Sequence, residues 1–315
     1  MKTLKSKGLK VLFIILLLHP LLAVSQTDQD ALMMEPKKLC IAAVYSTNSW
    51  TNYWEGNFKR DNANIGRLSS QTAMLMLNYG LNKNINILAS VPYIANKANA
   101  GTLSGLSGVQ DISLFVKWKP LVKSYGKQKI SVFAVGGFTT PSNDYNIDFT
   151  PIAIGNGSKV LSIRTTFDIQ REKIFATVSG AFMNRSNVFI DRSAYYTTQQ
   201  INSNEVQLPN IGNFQLRSGY RTKQLIAEVF LDNSTTFGGF DIRKNDMPFV
   251  SNKMNRTVSG LEFKYYPSKV PSLGFIANSW HTLAGRNVGQ ATGYAAGMSY
   301  AFNVQKNKEI RKSKS

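Results

Sequence analysis

The chain has 315 residues, 43% of them hydrophobic and 17% charged, with one cysteine, two histidines and a formal charge of +19. A single cysteine excludes an intramolecular disulfide framework, and one cysteine with one mature histidine cannot build a zinc site. The cations are scattered through connectors with no zinc-finger, RNA-recognition or helix-turn-helix signature beside them, so no nucleic-acid partner is expected.

Lys2, Lys5, Lys7 and Lys10 precede an apolar stretch from Val11 to Val24, and Ala23-Val24-Ser25 supplies the small residues of a cleavage site before Gln26. The stretch is interrupted by Pro20 and falls short of the ~20 apolar residues that a membrane-spanning helix needs. Residues 1–25 therefore read as a cleaved signal peptide, whose four lysines account for the fall to +15 in the mature chain. Residues 26–37 read as an N-terminal periplasmic extension, 38–304 as a barrel and 305–315 as a basic C-terminal tail.

Twelve alternating segments follow: Lys38–Thr47, Gln71–Leu81, Ile85–Ala95, Val109–Lys119, Lys129–Thr140, Lys159–Gln170, Ile174–Arg185, Gly212–Arg221, Gln224–Thr236, Thr257–Pro267, Ser272–Ala284 and Ala291–Val304. Most are near the ~9–11 residues of a tilted spanning strand, and their number is even, as in single-chain bacterial barrels. Short connectors (82–84, 171–173, 222–223, 268–271 and a longer 120–128) alternate with long ones (48–70, 96–108, 141–158, 186–211, 237–256), ending with a short 285–290. The pattern predicts an all-β, antiparallel transmembrane barrel of about twelve strands. Its short turns would face the periplasm and its long loops the outside.

Side chains of a strand point alternately to opposite faces. In the second segment Ala73, Leu75, Leu77 and Tyr79 take the lipid face, with Thr72 and Asn78 inward. In the fourth, Ile112, Leu114, Val116 and Trp118 oppose Asp111, Ser113, Lys117 and Lys119. Inward parity also falls on Arg164, Thr166 and Asp168, on Arg217, on Glu228 and Asp232, and on Glu262 and Lys264. A charge on the lipid face near the midplane costs ~2–4 kcal/mol. The nine candidates for lining the lumen are therefore Asp111, Lys117, Arg164, Asp168, Arg217, Glu228, Asp232, Glu262 and Lys264. They come in both signs and could pair to rigidify the interior or mark a solute path. Tyr79, Tyr93, Tyr266 and Trp118 fall where interfacial aromatic belts are expected, and Cys40 sits as a small apolar side chain in the first strand.

Three stretches carry a family resemblance. Tyr79-Gly80-Leu81, leading through Asn82-Lys83-Asn84 into a strand closing on Pro92-Tyr93, resembles a hairpin of the meta-pathway phenol-degradation family of transporter-like bacterial outer-membrane proteins. Gly105 to Asp111 with Lys117-Trp118-Lys119, and Thr140-Pro141-Ser142-Asn143-Asp144-Tyr145, are similar to that family's strand start and strand exit. Gln110 and Asn143 stand where the family has glycine, and Asn tolerates left-handed backbone best among the other residues. The resemblance implies an outer-membrane barrel, a channel for small hydrophobic or aromatic compounds. The final strand, with Tyr300 and Phe302, resembles the terminal signal read by outer-membrane assembly machinery. The expected partners are that machinery, outer-membrane lipid and lipopolysaccharide, and small solutes.

Catalytic signatures are weak. Ser279 and His281 share a strand face roughly 6.5 Å apart, beyond the contact a nucleophile and its base require, and no orienting third group is evident. Asp144, Asp148 and Asp168 lack calcium-loop spacing, and Gly101 to Gly105 lacks the Lys-Ser/Thr ending of a phosphate loop. No cofactor, metal site or catalytic residue is expected. The leading expectation is a porin-like channel that passively admits small solutes, with a non-conducting adhesive or structural barrel second and a barrel hydrolase third.

Overall fold

The structure, a computed structural model, describes residues 27–243 and 246–304; the expected signal peptide and basic tail lie outside the described residues. Twelve long strands run in chain order: β1 (Lys38–Trp50), β2 (Leu68–Gly80), β3 (Ile85–Ala98), β4 (Ile112–Tyr125), β5 (Gln128–Thr140) and β6 (Val160–Arg171). They continue as β7 (Ile174–Arg185), β8 (Asn210–Arg221), β9 (Leu225–Phe237), β10 (Asn255–Tyr265), β11 (Leu273–Arg286) and β12 (Thr292–Asn303). Each pairs antiparallel with its chain neighbours, and β1 closes on β12 from Lys38↔Asn303 to Ser49↔Thr292. Closure leaves no unpaired edge, which a membrane-spanning sheet cannot tolerate.

Burial is inverted relative to a soluble sheet. On β6 Leu161, Ile163, Phe167 and Ile169 are exposed, whereas Arg164, Thr166 and Asp168 are buried. The same apolar-out pattern runs through Leu75 and Leu77, Leu114, Val116 and Trp118, and Leu261, Phe263 and Tyr265. A contiguous apolar band of this extent is far larger than soluble monomers expose; it is a lipid-facing surface.

The strand boundaries differ from the sequence reading most at β4 and β5, where residues 120–128 form no connector. The strands continue to a Tyr125↔Gln128 pair across a Gly126-Lys127 turn, with the register shifting between Trp118 and Leu121. Pro120 sits in that irregularity, where a strand tolerates a residue without an N–H. Gly126 takes φ +57 in the turn, a backbone that glycine adopts without strain. Tyr266 also departs from expectation. It is almost fully buried against Phe175, Ile226 and Leu32, because β10 ends at Tyr265 and the next side chain points inward.

The largest difference is at the N-terminus. Residues 27–37, expected as part of a periplasmic extension, turn back into the barrel over their first part. Gly80 makes the turn feasible, since a Cβ there would lie 2.1 Å from the Glu35 carbonyl oxygen, and Lys37 N donates to Gly80 O at 2.7 Å. Met34 then packs on Cys40 and Ala301, and Leu32 on the Phe175–Tyr266 cluster.

The long loops are fastened to one another. Ile147, Val188, Ile190, Val206, Leu208 and Val250 form a small apolar core drawn from three of them. Asp241 binds Arg286 through two bonds of 2.7 and 2.5 Å and accepts from Asn287. Asn287 in turn accepts from the Gly56 amide at 2.7 Å.

Candidate functional site: a plugged, two-sided barrel interior

The interior charges meet around the re-entrant N-terminal segment. Asp30 is the hub: its carboxylate accepts from the Thr27 and Leu32 amides at 2.7 and 3.2 Å, holding the segment in a compact turn. Lys117 from β4 donates to that carboxylate at 2.9 Å and to the carbonyls of Asp30 and Leu32 at 2.7 and 3.3 Å. Lys264 from β10 reaches the other Asp30 oxygen at 3.3 Å. Two fully buried lysines from opposite walls therefore clamp one carboxylate of the segment.

The network spreads from there. Lys264 pairs with Glu262 at 3.0 Å, Glu262 lies 3.7 Å from Arg217, and Arg217 makes a close ion pair with Glu228. Gln215 links Asp232 to Gln29 of the N-terminal segment, at 3.2 Å on each side. Nearer the short turns, Arg221 binds both Asp168 oxygens at 3.1 Å and lies 3.7 Å from the Phe175 ring centroid. Arg164 instead donates to Ser179 and Asn213, at 3.0 and 3.1 Å. Charges left unpaired here would carry a desolvation cost of several kcal/mol each, and Asp30 of the N-terminal segment supplies a compensating carboxylate to both Lys117 and Lys264.

Of the nine sequence candidates, the structure brings Lys117, Arg217, Glu228, Glu262 and Lys264 into this network, with Asp232 joined through Gln215. Asp168 and Arg164 face the same interior from β6. Asp111 does not. It lies before β4 begins and is bonded by the Tyr145 hydroxyl at the long-loop rim. Burial raises the Asp111 carboxyl and the Tyr145 phenol above their usual ranges. Residues Leu106–Val109 do pair with β3, but the ladder is interrupted at Gln110 and Asp111 before β4 begins, so strand parity does not carry through to Asp111.

Above the N-terminal segment lies a cavity of about 640 Å³. Its floor is Thr27, Asp28 and Gln29. One wall, from β2 to β4, presents Met74, Met76, Leu88 and Phe115 with the small polar Ser90 and Ser113. The opposite wall, from β8 to β10, presents Gln215, Arg217, Asp232, Glu262 and Lys264 beside Phe230 and Val258, so all the charge of the two walls lies on one side. Ile276 and Trp280 of β11 extend the apolar side. This asymmetry was missed by attending only to charged inward residues, although Met74 and Met76 share the parity of Thr72 and Asn78. The plug had a weaker signal, two carboxylates at Asp28 and Asp30 ahead of the first strand.

His281 is exposed on the outer side of β11, with Nδ1 2.7 Å from the Thr292 hydroxyl and Gln290 at 3.3 Å from Nε2. Ser279 shares its face two residues along the strand, and no carboxylate contacts the histidine among the described residues. No group of metal-binding side chains occurs among them either.

A closed twelve-stranded sheet with lipid-facing apolar residues and a charged interior defines the class: the fold is that of a bacterial outer-membrane β-barrel. Among solved structures, the chain is similar to an outer-membrane channel from Pseudomonas putida F1. The TM-score is 0.68 at 15% sequence identity, over 89% of this chain and 100% of that one. The β domain of the Bordetella autotransporter BrkA and the translocator domain of the autotransporter NalP from Neisseria meningitidis follow, each at 11% identity, with TM-scores of 0.46 and 0.44. The BrkA match covers 84% of this chain and 100% of that one, the NalP match 87% and 90%. No family model matches the sequence, and no curated protein matches it.

Proposed function

We propose that the protein is an outer-membrane channel for small solutes that pair an apolar body with a polar or charged group, held narrow by its own N-terminal segment. The observation that carries this reading is the two-sided cavity. Its 640 Å³ lies within the size range of small-molecule sites, and its Met–Phe wall faces a wall of paired charges. Methionine and phenylalanine offer adaptable, polarizable contact to varied apolar surfaces, while the ion pairs opposite set orientation and charge preference. Transport would then need width and complementarity rather than covalent chemistry. The short turns face the periplasm in this reading, so a solute arrives from the long loops and meets the plug last. The structural likeness to a Pseudomonas putida outer-membrane channel supports the barrel on which this reading is built.

The test is solute influx into liposomes carrying the refolded protein, verified as folded by its heat-dependent mobility on a gel. Small amphiphilic solutes should enter faster than sugars of equal mass. Liposomes that stay tight to both, with folded protein present, would overturn the channel in favour of a non-conducting structural barrel.

A further inference from the structure

The two rims of the barrel differ in charge balance. At the short-turn rim, the connectors and strand ends carry Lys83, Lys123, Arg171, Lys173, Lys223 and Lys269, and only two carboxylates, Glu35 and Glu172. Both carboxylates already have a lysine: Glu35 binds Lys38 at 2.7 Å, and Glu172 binds Lys127 at 2.7 Å. Among the described residues, none of those six cations makes an ion pair. At the long-loop rim Glu55, Asp148, Asp241 and Asp246 pair with Arg60, Arg192, Arg286 and Arg243. Lys59, Lys97, Lys159 and Lys253 make no ion pair there either among the described residues, but the same loops carry four further carboxylates, Asp61, Asp144, Asp191 and Glu205, so the charge of that rim is far closer to balance.

The unpaired cations also sit beside apolar side chains on the lipid side. Register places Lys123 opposite Ile130, between Leu121 and Tyr125 on the same face, and these two are 40% and 60% exposed. Arg171 pairs in register with Ile174, which is 60% exposed. Lys173 stands 5.9 Å from the Tyr220 ring, and Lys223 and Lys269 adjoin the exposed Leu225 and Val270. A long cationic side chain next to a lipid-facing residue lays its stem on the apolar surface and holds its charge at headgroup depth.

We propose that this rim binds the phosphates of anionic phospholipid in the periplasmic leaflet of the outer membrane. The inference rests on the periplasmic orientation proposed above. The apolar neighbours decide the partner: a carboxylated cell-wall polymer would need only charge, whereas an acyl-bearing phosphate uses both features.

The experiment takes the full mature protein into nanodiscs of equal phosphatidylglycerol and phosphatidylethanolamine and reads retained lipid by native mass spectrometry. The wild type should retain phosphatidylglycerol over phosphatidylethanolamine by about fivefold or more, a preference that collapses with added salt. The variant K83Q/K123Q/R171Q/K173Q should lose the preference and keep heat-dependent gel mobility. The outer-rim variant K59Q/K97Q/K159Q/K253Q should retain it. Equal retention by the wild type, salt-insensitive retention, or loss in the outer-rim variant alone would overturn the proposal. If the rim variant fails to fold, the wild-type salt series still decides. Displacement by inorganic phosphate at matched concentration would make the ligand a free anion, and stronger capture by purified cell-wall sacculi would make it the wall; either sinks the lipid reading. Lipid retention needs no solute passage, so failure of the channel assay leaves this test standing. Orientation is checked separately in a C40S background: labelling of a K173C probe from outside intact cells would overturn the leaflet assignment.

Discussion

Lys264 joins the plug to the wall. Its ammonium reaches Asp30 at 3.3 Å and Glu262 at 3.0 Å, and its side chain is 3% exposed. Replacing it with Met removes the shared cation and leaves two carboxylates facing each other. Removing one partner of a desolvated pair costs ~3–5 kcal/mol, and water in the adjoining cavity reduces that. Lys264→Met should therefore lower the temperature at which the folded gel band converts to the unfolded one. An unchanged conversion temperature would mean that the network contributes little to folding. His281→Ala should leave the conversion unchanged, because its contacts are with Thr292 and Gln290 at an exposed outer position. Neither change creates a cavity in an apolar cluster.

The N-terminal segment, residues 27–34, is the element on which permeability turns. It forms no strand or helix and gains no ladder of backbone bonds from the barrel. Its hold on the wall comes from side chains: the Asp30 clamp, the Lys117 ammonium on the Thr27 carbonyl, Gln215 and Arg217 on Gln29, and the packing of Leu32 and Met34. Elements held by few contacts open at a free energy well below that of global unfolding. Deleting residues 27–34, or combining Asp28→Asn with Asp30→Asn, should raise single-channel conductance and solute influx several-fold while the twelve strands persist. The deletion leaves cations in excess on the interior wall, so it should also shift ion preference towards anions. Unaltered conductance with the segment gone would place the constriction elsewhere, in the fastened outer loops.

At the scale of the molecule, a closed sheet fixes the wall, and the loops above it are fastened by polar contacts that respond to pH. Hydrogen bonds from Arg286, then from Asn287, hold the Asp241 carboxyl below its ordinary value of 3.8. A carboxyl with a depressed folded pKa contributes stability that is complete above the unfolded value and is lost as pH falls through the folded one. The pair is exposed and worth under ~1 kcal/mol, so the barrel itself should be unaffected. Amide protection in residues 238–243 should be constant at neutral pH and fall only below about pH 4, the region of the unfolded carboxyl pKa. Asp241→Asn should flatten that dependence. A loss of protection already at pH 6 would assign the fastening to another group.

The sequence by itself determined the wall. Strand alternation and the sorting of connector length were enough to count twelve strands, to name Ile174–Arg185 to the residue and to turn Arg164, Asp168, Glu228 and Lys264 inward, because both signals are local and repeat along the chain. Two placements failed for different reasons. The ladder is interrupted at Gln110 and Asp111, so parity cannot be counted through Asp111. Tyr266 shares the inward parity of Glu262 and Lys264, and its residue type alone points to an interfacial belt. Only the tertiary structure decided what fills the barrel. That Asp30 is clamped between Lys117 and Lys264, and that Met74 and Phe115 face Arg217 across the cavity, depends on closure. Closing the ring sets β2–β4 opposite β8–β10 and gives residues 27–34 an interior whose cations need their carboxylates. Contacts between segments separated by some 90 to 230 positions leave no periodicity in the chain, and two carboxylates at Asp28 and Asp30 are too slight a signal to tell a plug from a strand-leading tail.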